Sequence, residues 1–294
     1  MDMAQNTKKQ YKSRSMAQET WRRLLQNKGA VIGMLFLIVL VVAAISSGFV
    51  FDYETEVIGQ NIADKLMGPC KAHWFGTDEY GRDLFARVIY GARYSLIIGI
   101  GSVAIGLVVG TILGSIAGFY GGIWDSLLMR ANDILYSIPN IMIAVVVVSV
   151  LGTSTRNLLI ALSVSNATSF SRIVRAAVMT VRDQEYVEAA YAMGIPTWKI
   201  ILKHVIPNCL SPIIVQVTLA IGNTIISASS LSFLGIGVPA PAPEWGALLS
   251  AGRSHIRDAS YMCIVPGMAI MLTVLALNLL GDGLRDALDP KLKK

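Results

Sequence analysis

Enzymatic chemistry usually leaves marks in a sequence, and the common ones are missing here. Gly-Lys never occurs as a dipeptide, so there is no GxxxxGK[ST] loop to cradle nucleotide phosphates. HExxH and GxSxG are absent, and no acid pair falls within an apolar run. Cys70, Cys209 and Cys263 are scattered and odd in number, which implies no disulfide framework. Cys70 and His73 form a lone CxxH, a spacing that arises by accident more often than as a metal site. No catalytic residue, metal or cofactor is expected, and any energy must arrive through a partner.

Residues 185–207 suit mechanical work instead. Glu188-Ala189-Ala190 through Met193 favour helix. Gly194 can adopt the left-handed conformation that ends a helix, and Pro196 fits the first turn of the next. In that second helix Trp198, Ile201, Leu202, Val205 and Ile206 are expected on one face, with Lys199 and Lys203 on another at i and i+4. Pro207 is expected to stop it. Such a two-faced knob can dock into a cleft on a soluble protein. An interfacial helix with no partner is the competing reading.

The elements that must hold this knob are apolar. Of 294 residues, 54% are hydrophobic and 15% charged, against about 25% charged in soluble domains. The mean hydropathy of +0.57 agrees with an integral membrane protein. A net charge of +6 would suit nucleic acid, but the bases cluster in loops flanking apolar runs, so no nucleic-acid partner is expected.

The chain divides into an all-α arrangement of six transmembrane helices. A basic tail, 1–28, precedes a charge-free first transmembrane helix, 29–51, which is long enough for the roughly 20 residues a bilayer needs. A signal peptide has a shorter apolar core, so the helix is read as retained. Segment 52–93 has mixed charge, and Leu84, Phe85, Val88 and Ile89 are expected on one side of a short amphipathic helix along the outer surface. A five-helix core, 94–281, follows, with spans near 94–119, 134–155, 157–171, 211–234 and 259–281, the short fourth one flanked by Arg172 and Arg175, which can snorkel to the interface. Within it, 121–133 read as a polar turn, Pro139 as a kink, and Arg130 with Asp133 as a surface ion pair. Ser102, Gly106, Gly110, Gly114 and Gly118 recur every four residues, a spacing for close helix packing, within this chain or against a second subunit. The closing tail is 282–294.

The residues carry a family resemblance. Glu188-Ala189-Ala190, Gly194 and Pro207 are similar to the EAA loop of ABC importer permeases. Phe75-Gly-Thr-Asp78, Gly81-Arg82-Asp83, Tyr90-Gly-Ala-Arg93 and the tail Asp282 to Pro290 resemble the C-subunit type of dipeptide and oligopeptide permeases. The resemblance covers residues 70 to 294 and implies a multi-pass subunit of a bacterial or archaeal inner membrane. It implies four kinds of partner: a second homologous permease, two cytoplasmic ATPases, an extracytoplasmic binding protein and the lipid bilayer. Glu188, Ala189, Ala190, Gly194, Trp198 and Pro207 would then couple to the ATPase. A nickel or metal-chelate importer is the runner-up. The family pattern usually has Ile where this chain has His204, and many relatives carry an acid near the position of Ala228, so no role for that acid is carried over.

Charge counting sets an orientation independently. With both termini inside, 17 of the 25 Lys and Arg residues fall on inner segments and 8 on outer ones. Bases favour the cytoplasm, so the knob is expected there. The spans hold no ionisable side chain, which argues against an ion-coupled carrier or channel. Neutral polar residues remain, and Ser165, Asn166, Gln216, Asn223 and Ser227 are expected to line half of a translocation path. Part of this polar set is expected merely to bond its own helix backbone.

Overall fold

In the computed structural model, which describes residues 16–288, the fold is helical throughout. Among the described residues the one strand-like pairing is an isolated antiparallel bridge between Thr77 and Asp83. Lys8, Lys9, Lys12 and Arg14 of the first tail, and Lys291, Lys293 and Lys294 of the last, lie outside the described residues.

The helices are α1 (Met16–Gln26), α2 (Lys28–Val50), α3 (Leu84–Tyr120), α4 (Gly122–Tyr136), α5 (Asn140–Leu151), α6 (Thr155–Val181), α7 (Glu185–Ala192), α8 (Thr197–Ile200), α9 (Leu210–Phe233), α10 (Trp245–Gly252) and α11 (Tyr261–Leu288). Four helical runs are long and apolar enough to cross a membrane: α2, α3, α11 and the run Thr197–Phe233. Helices α4 and α5 add a fifth if taken as one broken span, bent by 86°. Helix α6 has the length of a sixth, at 27 residues, but Arg156, Arg172, Arg175 and many hydroxyls keep it more polar than the rest.

Packing of α3 on α6 forms the centre. A Cβ added at Gly106 would sit 2.4 Å from the Asn166 Cβ, one at Gly110 2.5 Å from the Phe170 Cβ, and one at Gly114 2.5 Å from the Ser171 carbonyl. Ser102 Oγ donates to the Leu159 carbonyl at 3.1 Å in the same seam. The four-residue repeat therefore serves packing inside this chain. Around the seam, α9 and α11 pack together, and α2 leans on α11, where a Cβ at Gly33 would strike the Ala276 carbonyl at 2.5 Å. Helix α2 is apolar all round but buries few residues. Ile32, Leu35, Val39 and Val42 are 59–65% exposed, as expected of a face turned to lipid.

Several local expectations change. The presumed polar turn is helix α4, because only Gly121 and Gly122, at φ 66° and 54°, break the chain; the residues after them are good helix formers. Pro139 stands at the 86° break between α4 and α5 and caps α5, so the expected kink is a full interruption of the helix. Leu84 to Arg93 are not a separate short helix: they are the first turns of the 37-residue α3, started by Asp83, whose carboxylate accepts from the Ala86 amide at 2.8 Å. Asp282 to Leu288 continue α11, where Leu280, Leu284 and Ala287 pack with Leu24 of α1.

Candidate functional site

The knob lies at one end of α3, and residues 52–83 form a cap at the other. Helix α7 ends in a tight left-handed turn. Gly194 has φ 72°, its amide donates to the Tyr191 carbonyl at 2.9 Å, and the Ile195 amide donates to the Ala190 carbonyl at 3.2 Å. This double closure satisfies the last carbonyls of the helix. Pro196 caps α8, its carbonyl accepting from the amides of Lys199 and Ile200.

One face of the knob is anchored. Val187, Ala190, Ile200, Ile201, Val205 and Cys209 are buried in a cluster with Phe119 of α3, Val174 and Val178 of α6, and Ile213 of α9. The Tyr191 ring stacks on Phe119, with centroids 6.0 Å apart and planes 17° apart. Arg182 donates to the Gly118 carbonyl at 2.9 Å. The other face is bare. Met193 is 72% exposed, Trp198 59% and Leu202 56%, with Glu188, Ala189, Lys199 and Lys203 also exposed. A stiff element anchored at its roots and apolar at its tip has the form needed to pass motion to or from a docked body.

The predicted coupling residues therefore divide. Glu188, Ala189, Gly194, Trp198 and Pro207 lie on the surface, whereas Ala190 is a packing residue, 1% exposed. The expected single apolar face does not exist: Ile201 and Val205 point inward while Trp198 and Leu202 point out. Ile201 already lies to one side of Trp198 in α-helical geometry, and the π-helical stretch Ile201–Val205, whose turns hold more residues, rotates Val205 further inward. Nor does Pro207 stop the helix. It falls in the first turn of the 3-10 segment Ile206–Cys209, where a proline costs least, and the Asn208 side-chain amide donates to the His204 carbonyl at 2.6 Å. Helical geometry thus runs unbroken from the knob into α9.

The polar residues proposed for a path also divide. Gln216, Asn223 and Ser227, spaced by seven and four, make a stripe along α9 that is half-buried to exposed. Beside it, α9, α10 and α11 border an open groove of about 730 Å³ that includes Ser229, Ser230 and Asn278. Asn166 and Thr224 bond each other at 3.1 Å across α6 and α9. Ser165 is buried on α6, 7% exposed.

Two features were missed in the sequence. Helix α4 is tied to α6 by ion pairs: Arg175 with Asp125 at 2.5 Å, and Arg172 with Asp133 at 2.5 Å. The expected Arg130–Asp133 pair is therefore replaced, and Arg172 also lies over the Tyr136 ring at 4.0 Å. The second feature is Glu244, 0% exposed, which caps α10 through the Ala247 amide at 2.9 Å and accepts from Ser95 at 3.3 Å. In the cap, Asp78 is 3% exposed, bonds Arg82 at 2.7 Å and lies 3.6 Å from Arg87. His73 pairs with Asp83 at 2.7 Å. At the start of the cap, the Thr55 amide and hydroxyl hold the Asp52 carboxyl below its usual range.

Comparison with known proteins places this architecture. Residues 110–294 match the model for the binding-protein-dependent transport system inner membrane component, and residues 15–69 match the N-terminal TM domain of oligopeptide transport permease C. The chain is 44% identical to the dipeptide transport system permease protein DppC of Alkalihalophilus pseudofirmus, over 97% of this chain and 93% of that protein. It is 46% identical to the glutathione transport system permease protein GsiD of Escherichia coli, over 94% and 90% respectively. A chain of the MetNI methionine ABC transporter, in an inward-facing conformation, aligns with a TM-score of 0.57 at 18% identity. The alignment covers 69% of this chain and 96% of that one, and supports a shared fold.

Proposed function

The chain belongs to the binding-protein-dependent transport system inner membrane components, the permease subunits of ABC importers, and on that premise we propose how it works. It forms half of a path for di- or oligopeptides, with Gln216, Asn223 and Ser227 on the path side of α9. A second, homologous permease supplies the other half. Two cytoplasmic ATPases supply the energy and an extracytoplasmic binding protein delivers the solute. Six spans cross the membrane, α6 being the polar fourth, and both termini face the cytoplasm, as the excess of basic residues on those segments supports.

One observation carries the reading most: a knob whose roots are fully buried and whose tip, Met193 and Trp198, is 72% and 59% exposed. Closure of the two ATPases draws the knobs of the two permeases together. The unbroken run into α9 transmits that movement to the path. Glu188 offers charge, and Trp198 and Met193 offer apolar surface, to the ATPase cleft.

The relatives named above are peptide and glutathione systems, and glutathione is itself a tripeptide. That favours peptides over the metal-chelate alternative. The test is uptake into vesicles holding the full complex, comparing labelled di- and tripeptides with a nickel chelate, with and without ATP. ATP-dependent peptide uptake supports the reading. Uptake by this subunit alone without ATP, or uptake of only the chelate, overturns it.

A further inference from the structure

The knob is not fully packed against its own helices. Between α3 and the helical run that leaves the knob lies a groove of about 470 Å³, bordered by Leu107, Thr111, Ser115, Trp198, Leu202 and Ile206. The two walls run antiparallel, so Ser115 lies toward the Trp198 end and Leu107 toward the Ile206 end. The eight helical rises from Leu107 to Ser115 make this groove about 12 Å long. One leaflet of a bilayer has a hydrocarbon depth of about 15 Å. The groove thus has the length, the apolarity and the placement of a seat for one acyl chain.

Two polar features say what kind of chain. Ser115 is 4% exposed and its Oγ has no hydrogen-bond partner, in a wall where Thr111 is the only other polar residue. A buried hydroxyl without a partner is costly and is answered by an acceptor or donor from elsewhere. At the mouth, the Lys199 ammonium lies 5.3 Å from the centre of the Trp198 ring, which holds a cation at the rim, and Lys203 follows one turn later on the same exposed side. An apolar slot, an internal hydroxyl and cations at its mouth match an acyl chain, an ester carbonyl and an anionic phosphate respectively.

We infer that this groove binds an anionic phospholipid of the cytoplasmic leaflet, bracing the knob against α3. The inference rests on the membrane placement and orientation proposed above. The lipid fills space between the lever and the seam helix, so movement of the knob is passed to α3 as well as to α9.

The test uses the assembled complex in nanodiscs of phosphatidylcholine with or without phosphatidylglycerol. Either lipid carries brominated chains that quench nearby tryptophan. The Trp198 signal is isolated as the difference between wild type and Trp198→Phe, compared only in samples that hold equal amounts of bound ATPase. Brominated phosphatidylglycerol is expected to quench it more strongly than brominated phosphatidylcholine. Lys199→Gln, a surface change, is expected to cut that preference about fivefold. Ser115→Leu, which fills the groove, is expected to remove quenching by both. Equal quenching by the two lipids, or none because a protein helix covers the groove, overturns the inference. Retention of the ATPases in the same samples reports separately on the coupling reading. If they are retained without selective quenching, only the lipid site fails; if they are lost while selective quenching persists, only the coupling fails.

Discussion

The two ends of α3 treat their surfaces in opposite ways. At the cap, charge is turned inward. Asp78, Arg82 and Arg87 are at most 7% exposed and linked to one another, Glu244 is wholly buried, and Tyr261 donates to the carbonyls of Met67 and Thr77. At the knob, apolar groups are turned outward: Tyr191, Met193, Trp198 and Leu202 are all at least half exposed. The cap's shape is set from within the chain. The knob is rigid yet offers apolar surface that its own chain leaves uncovered, which is the mark of a surface that meets something else. Changes in the cap should therefore act on folding, and changes at the knob tip on assembly.

The sharpest test of that contrast is Asp78→Ala. It leaves two buried guanidinium groups without their carboxylate, and the expected loss is about 3–5 kcal/mol of stability. Thermal unfolding in detergent measures it. A loss under about 1 kcal/mol would mean that the cap is looser than its burial indicates.

Gly194→Ala tests the root of the knob. A side chain at φ 72° costs about 1–2 kcal/mol, confined to the turn. Hydrogen exchange at Ile195 and its neighbours should rise while exchange in the α3–α6 seam stays unchanged.

Trp198→Asp tests the tip. Its side chain is mostly exposed, so stability should change by no more than about 0.5 kcal/mol. Co-purification of the ATPases should fall sharply, and ATP-driven uptake with it. Retained assembly and uptake would remove Trp198 from the docking surface.

Arg172→Gln is the smallest. Its ion pair with Asp133 is exposed and should contribute less than about 1 kcal/mol. A larger effect, seen by the same unfolding measurement, would show that α4 is held to α6 mainly by that pair.

Legibility in the sequence followed how local each cause was. The small-residue repeat from Ser102 to Gly118 was readable because its period matches a helix face. The turn at Gly194 and Pro196 was readable because those residues have backbone preferences of their own. The inward turn of Val205 beside the exposed Trp198 was not, because the π-helical stretch Ile201–Val205 departs from the α-helical period on which the face was read. Pro207 misled because it falls at the start of the 3-10 segment Ile206–Cys209, where a proline's missing N–H is tolerated and the helix need not end. The partner of Asp133 was hidden because Arg172 is 39 residues away, across a tertiary contact. Helix α4 was masked by Gly121 and Gly122 before it and by charges within it, which resemble a loop until α6 supplies Arg175 and Arg172. Glu244 reads as an ordinary loop acid, and only the packing of α3, α9 and α10 around it shows that it is interior.

The central claim is that the knob is a lever held by a cytoplasmic ATPase. Met193→Cys places a thiol at its most exposed large apolar residue, with Cys70→Ser removing the exposed native thiol. Short-reach cross-linking of the assembled complex is the measurement. The account predicts a cross-link from position 193 to the ATPase, with a yield that changes between nucleotide-free and ATP-bound states, and no labelling of 193 by a membrane-impermeant thiol reagent in intact cells. Labelling from outside, with no cross-link to the ATPase in either state, would contradict it.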